Sequence, residues 1–220
     1  MRITISKENY LKAIAEAEAE GQPVIAATLA RWVNVSPPAV TMAIRRLKRD
    51  ACISVDRKGH IKLTPEGRKI ADRILHRHHL IERMLVEIFG MEWFKVHDEA
   101  ERLEHAVSED FERLLMKRLG ADLPCPHGNT EEVVSPAERR ERGWQTLDEV
   151  HGNTSVRVVS VYERDRQLLE YLDGMDVHPG ARLDVIGRNY DDTLTFKVAG
   201  RAAQLASSVA RKVWVEAEAR

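Results

Sequence analysis

The sequence predicts a mainly α-helical protein with a small β part: an N-terminal winged helix-turn-helix, a helical middle region and a C-terminal β-barrel. Three observations support this fold class. The first part of the chain gives the order helix, helix, turn, helix and hairpin, which is typical of a winged helix-turn-helix. Apolar residues at helical spacing continue to residue 119, and short alternating segments dominate the chain after Thr154.

The N-terminal helices are predicted from composition and from their end signals. Residues 7–20 are rich in Ala and Glu, and Gly21 ends this helix. A shorter helix is expected near 24–33. The polar turn NVSPP follows, in which Ser36 is expected to cap a third helix and two prolines take the first helical positions, where a missing N–H is harmless.

A two-stranded wing is predicted after the third helix. The segment ISVDRKGHIKLT alternates apolar and polar residues on either side of Lys58-Gly59, which is the pattern of a hairpin. Thr64-Pro65 then indicates the start of another helix.

The third helix and the wing are candidates for contact with double-stranded DNA. Small and apolar side chains at the start of the helix suit thymine methyl groups, whereas the helix N-terminus and the arginines suit phosphates. The alternative interpretation is a basic solvated helix, or a winged helix that contacts only protein. The residues predicted to contact DNA are Ser36, Pro37, Pro38, Ala39, Thr41, Met42, Arg46, Arg49 and Arg57.

The rest of the chain predicts a helical region, a linker and a β-domain. Two helices, split near 90–96, are expected within residues 76–119. Residues 120–152 mix Pro, Gly, Asn and charge, so we interpret them as a linker with some local structure. Strands are expected at SVRVVSV, RLDVIG, LTFKVAG and KVWVEA, with one helix near 165–173. The predicted domains are 1–72 (winged helix-turn-helix), 73–140 (helical), 141–153 (linker) and 154–220 (β-domain).

Charge is unevenly distributed along a chain whose net charge is only −1. Residues 1–75 carry 14 basic and 8 acidic side chains, a balance of +6, whereas residues 76–150 carry 10 basic and 17 acidic, a balance of −7. A basic first third beside an acidic middle suggests one surface for a polyanion and another for cations. Uneven solvation of helical surfaces explains the counts equally well.

Cysteine content and hydropathy indicate the compartment. Cys52 and Cys125 are too few for a disulfide framework and suit a reducing cytosol. No apolar run approaches the roughly 20 residues that span a bilayer, and the N-terminus lacks a signal-peptide pattern. We therefore expect a cytoplasmic protein without membrane contact.

The segment HDEAERLEH carries the clearest ligand pattern. His97, Glu101 and His105 are spaced four residues apart and Glu104 follows Glu101 by three, so all four are predicted to project from one stripe of a helix. The preceding helix adds His78 and Glu82, again four apart. Two such helices side by side are expected to offer six ligand-type groups to Mn²⁺, Fe²⁺, Co²⁺ or Zn²⁺. The alternative is a set of hydrogen-bonded buried side chains without metal.

The segment Cys125-Pro126-His127-Gly128 is a weaker signal. A cysteine and a histidine two residues apart can reach one metal ion, but only with partners from elsewhere in the chain. An ordinary turn explains this segment equally well.

The order of these motifs resembles the DtxR/MntR family of iron- and manganese-dependent repressors. The resemblance covers nearly the whole chain and is carried by HRHHLIERML, VHDEAERLEHAVSEDFERLL and CPHGN. The segment LLEYLDGMDVHPGARLDVIGRN resembles the SH3-like, FeoA-type domain of longer members. This resemblance implies that the middle region is a metal-binding and dimerisation domain.

The resemblance also implies ligand sets. The family's primary site corresponds to Asn9, Glu101, Glu104 and His105. An ancillary site corresponds to His78, Glu82 and His97, with help from the SH3-like domain, where Gln167 is the nearest match and Glu163 a weaker one. Another branch of manganese sensors draws its second site from the CPH segment, which implies Cys125 and His127 with Glu82.

Two departures and one substitution bear on the choice of metal. Asn9 stands where iron sensors carry Met and manganese sensors Asp, and Lys12 stands where an acid completes a binuclear site in some manganese sensors. Glu101 replaces the Cys of iron-type members, and a hard oxygen in place of a thiolate favours Mn²⁺. The resemblance therefore implies Mn²⁺, with Fe²⁺ as the alternative.

The function implied is a non-enzymatic repressor of metal-homeostasis genes, in which metal orders a homodimer for a palindromic operator. A dimer surface is expected among Met84, Leu85, Ile88, Phe89, Leu114 and Leu115, although a monomer core would show the same pattern. One rival is a metal-independent winged-helix regulator. The other is a helical-bundle metalloenzyme, which would need a repeated Glu-x-x-His motif that occurs here only once and in modified form.

Overall fold

The computed structural model describes residues 4–120, 123–130 and 133–218. The remaining residues of the predicted first, second and last domains lie outside this description. The N-terminal region contains α1 (Ile5–Ala19), α2 (Ala26–Trp32), α3 (Pro37–Arg49), β1 (Ile53–Val55) and β2 (Ile61–Leu63). The middle contains α4 (Pro65–Glu87), α5 (Val96–Leu103), α6 (Glu109–Leu119) and α7 (Pro136–Glu141).

The N-terminal region is a winged helix-turn-helix, as the sequence predicts. Ser36 is the N-cap residue of α3, and the two prolines occupy its first turn. Val40, Ala43 and Leu47 bury one face of α3 in a core shared with α1 and α2, which leaves the opposite face in solvent. Strands β1 and β2 pair antiparallel, from Ile53 opposite Leu63 to Val55 opposite Ile61.

Helix α4 is long and joins the first two domains. Its N-terminus is capped by Thr64, whose Oγ1 accepts a hydrogen bond from Gly67 N at 3.1 Å. Ile70 and Leu75 pack into the winged-helix core, whereas Ile81 and Leu85 pack into a separate core with α5 and α6. The boundary predicted between residues 72 and 73 therefore falls inside one continuous helix, and no loop separates the two domains there.

The helix that carries HDEAERLEH is shorter than predicted. α5 ends at Leu103, Glu104 is its C-cap residue, and His105 lies beyond it. Ser108 then caps α6 by accepting a hydrogen bond from Phe111 N at 3.3 Å. The expectation of a single helical stripe through His105 is wrong, because Ser108 starts a new helix and the chain must turn before it.

The C-terminal region is an SH3-like domain with a six-stranded antiparallel sheet. Its elements are β3 (Gln145–Thr146), a short 3-10 helix (Leu147–Glu149), β4 (Thr154–Val161), α8 (Arg166–Asp173), β5 (Arg182–Arg188), β6 (Leu194–Val198), β7 (Arg201–Leu205), α9 (Ser207–Ala210) and β8 (Val213–Ala217). The strand order is β3-β8-β4-β5-β6-β7. β3 pairs with β8 from Gln145 opposite Val215, so the predicted linker 141–153 already contains the first strand of this sheet.

Strand β7 was not predicted, because its sequence RAAQL lacks the β-branched and aromatic residues that favour strands. A two-residue turn explains it. Ala199 and Gly200 both have positive φ, 47° and 78°, between Val198 and its partner Arg201. Positive φ at both central residues is typical of a tight hairpin turn, which sets the pairing of β7 with β6.

Arg164, just after β4, connects the SH3-like domain to the DNA-binding domain. One guanidinium nitrogen lies 2.6 Å from a carboxylate oxygen of Glu16 on α1, and another donates to the carbonyl of Trp32 at 3.0 Å. The guanidinium carbon also lies 4.8 Å from the centre of the Trp32 ring, a cation–π contact.

Of the helices in the described residues, none is both long and apolar enough to cross a bilayer.

We expect Gly67→Ala to destabilise the junction between the wing and α4. A Cβ added at Gly67 would lie 1.9 Å from the carbonyl oxygen of Cys52, so backbone has to move. Overpacking of this kind costs about 2 kcal/mol or more, measurable as a lower midpoint in urea denaturation. Gly187→Ala is the matched control, because a Cβ there meets nothing within 4 Å. Equal midpoints for the two variants would contradict this packing.

Candidate metal centre

A group of polar side chains lies buried where α4, α5, the CPHG turn and the end of β4 meet. We call this group the buried cluster: His78, His79, Glu82, His97, Cys125, His127 and Glu163. Every member is less than 9% exposed, and His78, Glu82 and His127 are fully buried. Burying so many polar groups is costly unless each has a partner or a metal ion.

The histidines of α4 and α5 converge on Glu82. His78 Nε2 lies 3.1 Å from Glu82 Oε1 and 3.1 Å from His97 Nδ1, and His97 Nδ1 lies 3.3 Å from the same carboxylate oxygen. One ligand atom from each of these three residues lies within 4.8 Å of the other two. The predicted ancillary residues are therefore brought together at one point.

The CPHG turn adds two ligand-type side chains to the same point. His127 Nδ1 lies 3.3 Å from Glu82 Oε2, and Cys125 Sγ lies 3.8 Å from Glu163 Oε2. The turn is docked on β4: Val161 N donates to the carbonyl of His127 at 2.9 Å, and a Cβ on Gly128 would lie 1.9 Å from the Val159 carbonyl oxygen. The glycine permits this close approach, so the segment is a turn and also part of the cluster.

From the SH3-like domain, Glu163 rather than Gln167 reaches the cluster. Glu163 is 8% exposed, accepts a hydrogen bond from Asn129 Nδ2 at 2.5 Å, and lies 3.9 Å from His97 Nδ1. Gln167 is exposed on the first turn of α8. The residue implied as the nearest match is therefore turned outward, because α8 buries its leucines instead.

His79 also belongs to the cluster, although the sequence does not predict it as a ligand. It is 5% exposed, and His79, Glu82, Cys125 and Glu163 each bring one ligand atom within 4.8 Å of the others. Its Nδ1 has no hydrogen-bond partner among the described residues. The run HRHHL was the available signal, but helical spacing alone favoured the first of the paired histidines.

The electrostatics keep the buried carboxylates ionised. Burial by itself raises the pKa of Glu82, but the charges of His127 and His78 outweigh it and hold that pKa well below its usual range. Burial and the nearby Lys12 lower the pKa of His78, yet Glu82 and Glu104 prevail and raise it to about 9. Burial, with the charges of Glu82 and Glu163, raises the pKa of the Cys125 thiol well above its usual range.

The predicted primary-site residues lie at a second point, between α1 and α5, which we call the primary point. Asn9, Glu101 and Glu104 line one cavity of about 550 Å³, and the buried Asn9 Oδ1 has no hydrogen-bond partner among the described residues. His105 lies beside this group, with Nε2 3.4 Å from Glu104 Oε1 and Nδ1 2.9 Å from Glu8 Oε2. The ammonium of Lys12 lies in the same place, 2.8 Å from Glu104 Oε2.

The donor chemistry at both points fits a divalent cation. Imidazole, carboxylate and thiol groups at the buried cluster are ligands for Mn²⁺, Fe²⁺ or Zn²⁺, and an amide oxygen with two carboxylates and an imidazole suits Mn²⁺ or Fe²⁺. The unpartnered Asn9 Oδ1 and His79 Nδ1 are buried polar atoms that a metal ion would satisfy. Metal binding through Cys125 or His78 would release a proton.

The residues predicted to contact DNA are all exposed, from Ser36 at the start of α3 to Arg57 in the wing. Met42 is 54% exposed, although methionine is usually buried. Thr41 Oγ1 donates to the carbonyl of Pro37 at 3.1 Å, within the first turn of α3. The exposed face is thus formed by small and apolar residues at the N-terminal end and by Arg46 and Arg49 further along.

Comparisons with known proteins match the three regions in turn. Residues 2–61 match the family model described as "Iron dependent repressor, N-terminal DNA binding domain", and residues 64–132 match "Iron dependent repressor, metal binding and dimerisation domain". Residues 145–217 match the FeoA domain. The class is that of DNA-binding repressors with a metal-binding and dimerisation domain.

Individual relatives agree over most of the chain. It is 32% identical over 218 residues to the diphtheria toxin repressor of Corynebacterium glutamicum, covering 95% of each protein. It is 39% identical over 173 residues to the iron-dependent repressor IdeR of Mycobacterium tuberculosis, covering 76% of this chain and 73% of the relative. A solved manganese-dependent transcriptional repressor in complex with manganese superimposes with a TM-score of 0.86 at 28% identity, covering 96% of this chain and 100% of that one.

The chain therefore belongs to the DtxR/MntR family of iron- and manganese-dependent repressors. The proteins named above are transcriptional repressors, not enzymes, so the helical-bundle metalloenzyme has no support.

We expect Glu82→Gln to weaken metal binding at the buried cluster. Glu82 is the carboxylate on which His78, His97 and His127 converge, and the substitution removes its charge while keeping its shape. The affinity for Mn²⁺ should fall by at least about tenfold, measured by isothermal titration calorimetry.

Glu87→Gln is the matched control for this experiment. Glu87 is an exposed glutamate of the same helix, paired with Arg83 at 2.8 Å. Equal losses of affinity in the two variants would place the metal somewhere other than the buried cluster.

Proposed function

We propose that this protein is a metal-dependent transcriptional repressor of metal-homeostasis genes, activated by Mn²⁺ in preference to Fe²⁺. A homodimer binds a palindromic operator through the two exposed faces of α3. One observation carries this proposal. Ligand-type side chains from different domains converge at two neighbouring places, the buried cluster and the primary point. Membership of the DtxR/MntR family supports the assignment as a metal-dependent DNA-binding repressor.

The proposed primary ligands join two domains. Asn9 belongs to α1 in the DNA-binding domain, whereas Glu101, Glu104 and His105 belong to the end of α5 and the residues after it. A bound divalent ion would supply positive charge between them. Side chains held on both sides of such an ion restrict the movement of α1, and α1 packs against α3. The spacing of two α3 helices in a dimer is then limited to the one that fits an operator.

The preference for Mn²⁺ rests on the donors at the primary point. Asn9, Glu101 and Glu104 offer oxygen and His105 offers nitrogen, and this set lacks the thiolate that favours softer metals. Similar solved structures include a manganese-dependent repressor with manganese and a manganese regulator, and another similar structure holds bound Zn²⁺.

Exposed apolar side chains of the helical domain support the homodimer. The structure separates the six residues predicted for a dimer surface: Met84, Leu85 and Leu115 are buried in the monomer core. Ile88, Phe89 and Leu114 are 46%, 70% and 62% exposed, and Phe111 adds a further exposed ring. Large exposed apolar side chains favour contact with another protein surface, and a second copy is the partner that a palindromic operator requires.

The decisive experiment is a metal titration of operator binding. Duplexes selected from a random library in the presence of Mn²⁺ serve as the probe, and gel shifts at fixed salt compare Mn²⁺, Fe²⁺ and Zn²⁺. Glu104→Ala should abolish the metal-stimulated shift because Glu104 lies at the centre of the primary point. Glu99→Ala is the control, since Glu99 pairs with Arg102 on the other side of α5. A shift insensitive to chelator would instead support the metal-independent regulator.

Arg46→Ala and Arg49→Ala should each weaken operator binding without changing metal affinity. Both side chains are exposed on α3, where they are placed to neutralise phosphates. The slope of log K against log salt should become shallower by about one for each arginine removed, measured by fluorescence anisotropy. Arg113→Ala on the exposed face of α6 is the control, and an equal effect from it would contradict the assignment of α3 to DNA.

A further inference from the structure

We propose that Lys12 is a resident cation of the primary point. Its ammonium holds the carboxylates there in the metal-free protein, and a divalent ion enters by exchange with it. This inference rests on the proposed function only in assuming that Asn9, Glu101, Glu104 and His105 are metal ligands.

The ammonium of Lys12 already fills the role of a metal ion. Nζ lies 2.9 and 2.8 Å from the two oxygens of Glu104, 3.6 Å from Glu101 Oε1 and 3.4 Å from His78 Nδ1. Lys12 is 3% exposed and Glu104 is 1% exposed. Two carboxylates and one imidazole thus surround the buried ammonium, as they would surround a bound cation.

Positive charge at this point leaves little room for a second cation. His78 Nδ1 also lies 2.7 Å from Glu104 Oε2, and Glu101 Oε1 lies 3.4 Å from the guanidinium of Arg164. A divalent ion placed beside the Lys12 ammonium would meet like charge at close range. Metal binding therefore requires that the ammonium leave the carboxylates.

A second carboxylate on the same helix lies within reach of the Lys12 ammonium. Glu16 lies four residues further along α1, where side chains are neighbours. Glu16 Oε2 is held by Arg164 at 2.6 Å, but Oε1 is buried and has no hydrogen-bond partner among the described residues. The cavity beside Lys12 also contains the exposed carboxylate of Asp98. The displaced ammonium can thus remain paired.

The exchange gives Lys12 a regulatory consequence. The ammonium links α1 to Glu104 without metal and keeps the carboxylates from repelling each other. It therefore raises the concentration of free divalent ion that is needed for binding, and this concentration is the threshold for activation. Removal of the charge should lower this threshold, whereas Asn9 and the carboxylates stay in place.

The test compares Lys12→Met with Lys12→Arg in a Glu82→Gln background, so that the buried cluster contributes little. Methionine has a similar length to lysine but no charge, and its thioether is a poor ligand for Mn²⁺. Arginine keeps the positive charge. Calorimetric titration with Mn²⁺, without DNA, should show about tenfold or tighter binding for Lys12→Met relative to its parent. Lys12→Arg should bind no better than the parent. Equal Mn²⁺ affinity in the Met and Arg variants overturns the exchange, whatever the operator assays show.

A measurement on the unaltered chain decides the matter if the buried substitution prevents folding. Acetylation of lysines, read by mass spectrometry, should label Lys12 slowly without metal and several-fold faster at saturating Mn²⁺, because the ammonium has left the buried Glu104 for the open cavity that the exposed Asp98 lines. The exposed Lys197 in the SH3-like domain serves as the internal control. Labelling of Lys12 that does not change on addition of Mn²⁺ overturns the exchange.

Discussion

The structure depends on the pairing of buried carboxylates with positive charge, and His78 is central to it. Its Nδ1 lies 2.7 Å from Glu104, while its Nε2 lies 3.1 Å from Glu82. One imidazole therefore spans the two candidate metal points. A buried carboxylate without a cationic partner is costly, so Glu104 and Glu82 both depend on this ring.

This polar interior also explains why the domains pack as they do. α4 and α5 contribute His78, Glu82 and His97, the CPHG turn contributes two more side chains, and Glu163 comes from the SH3-like domain. Next to Glu163 in sequence, Arg164 contacts Glu16 and Trp32 of the DNA-binding domain. The SH3-like domain thus contacts both the buried cluster and the region that carries α3.

Elements with strong local signals were predicted well. The prolines after Ser36 start α3, the alternating segment around Lys58-Gly59 forms the wing, and the long apolar strands of the last domain lie where expected. Elements stabilised mainly by partners were not. β3 and β7 are edge strands with little apolar pattern, and α4 continues through a predicted boundary because its two halves pack into different cores.

By itself, the sequence determined the candidate ligand types, the four-residue spacing of His78 with Glu82 and of His97 with Glu101, and the order of domains, because these properties depend on residues close together in the chain. The tertiary structure alone decided which of these side chains meet. It turned Glu163 inward and Gln167 outward, added His79, and separated the exposed Phe89 from the buried Leu85. It also placed Lys12 against Glu104, 92 residues away. Contacts over such separations follow from packing of whole helices and sheets, which local periodicity does not specify.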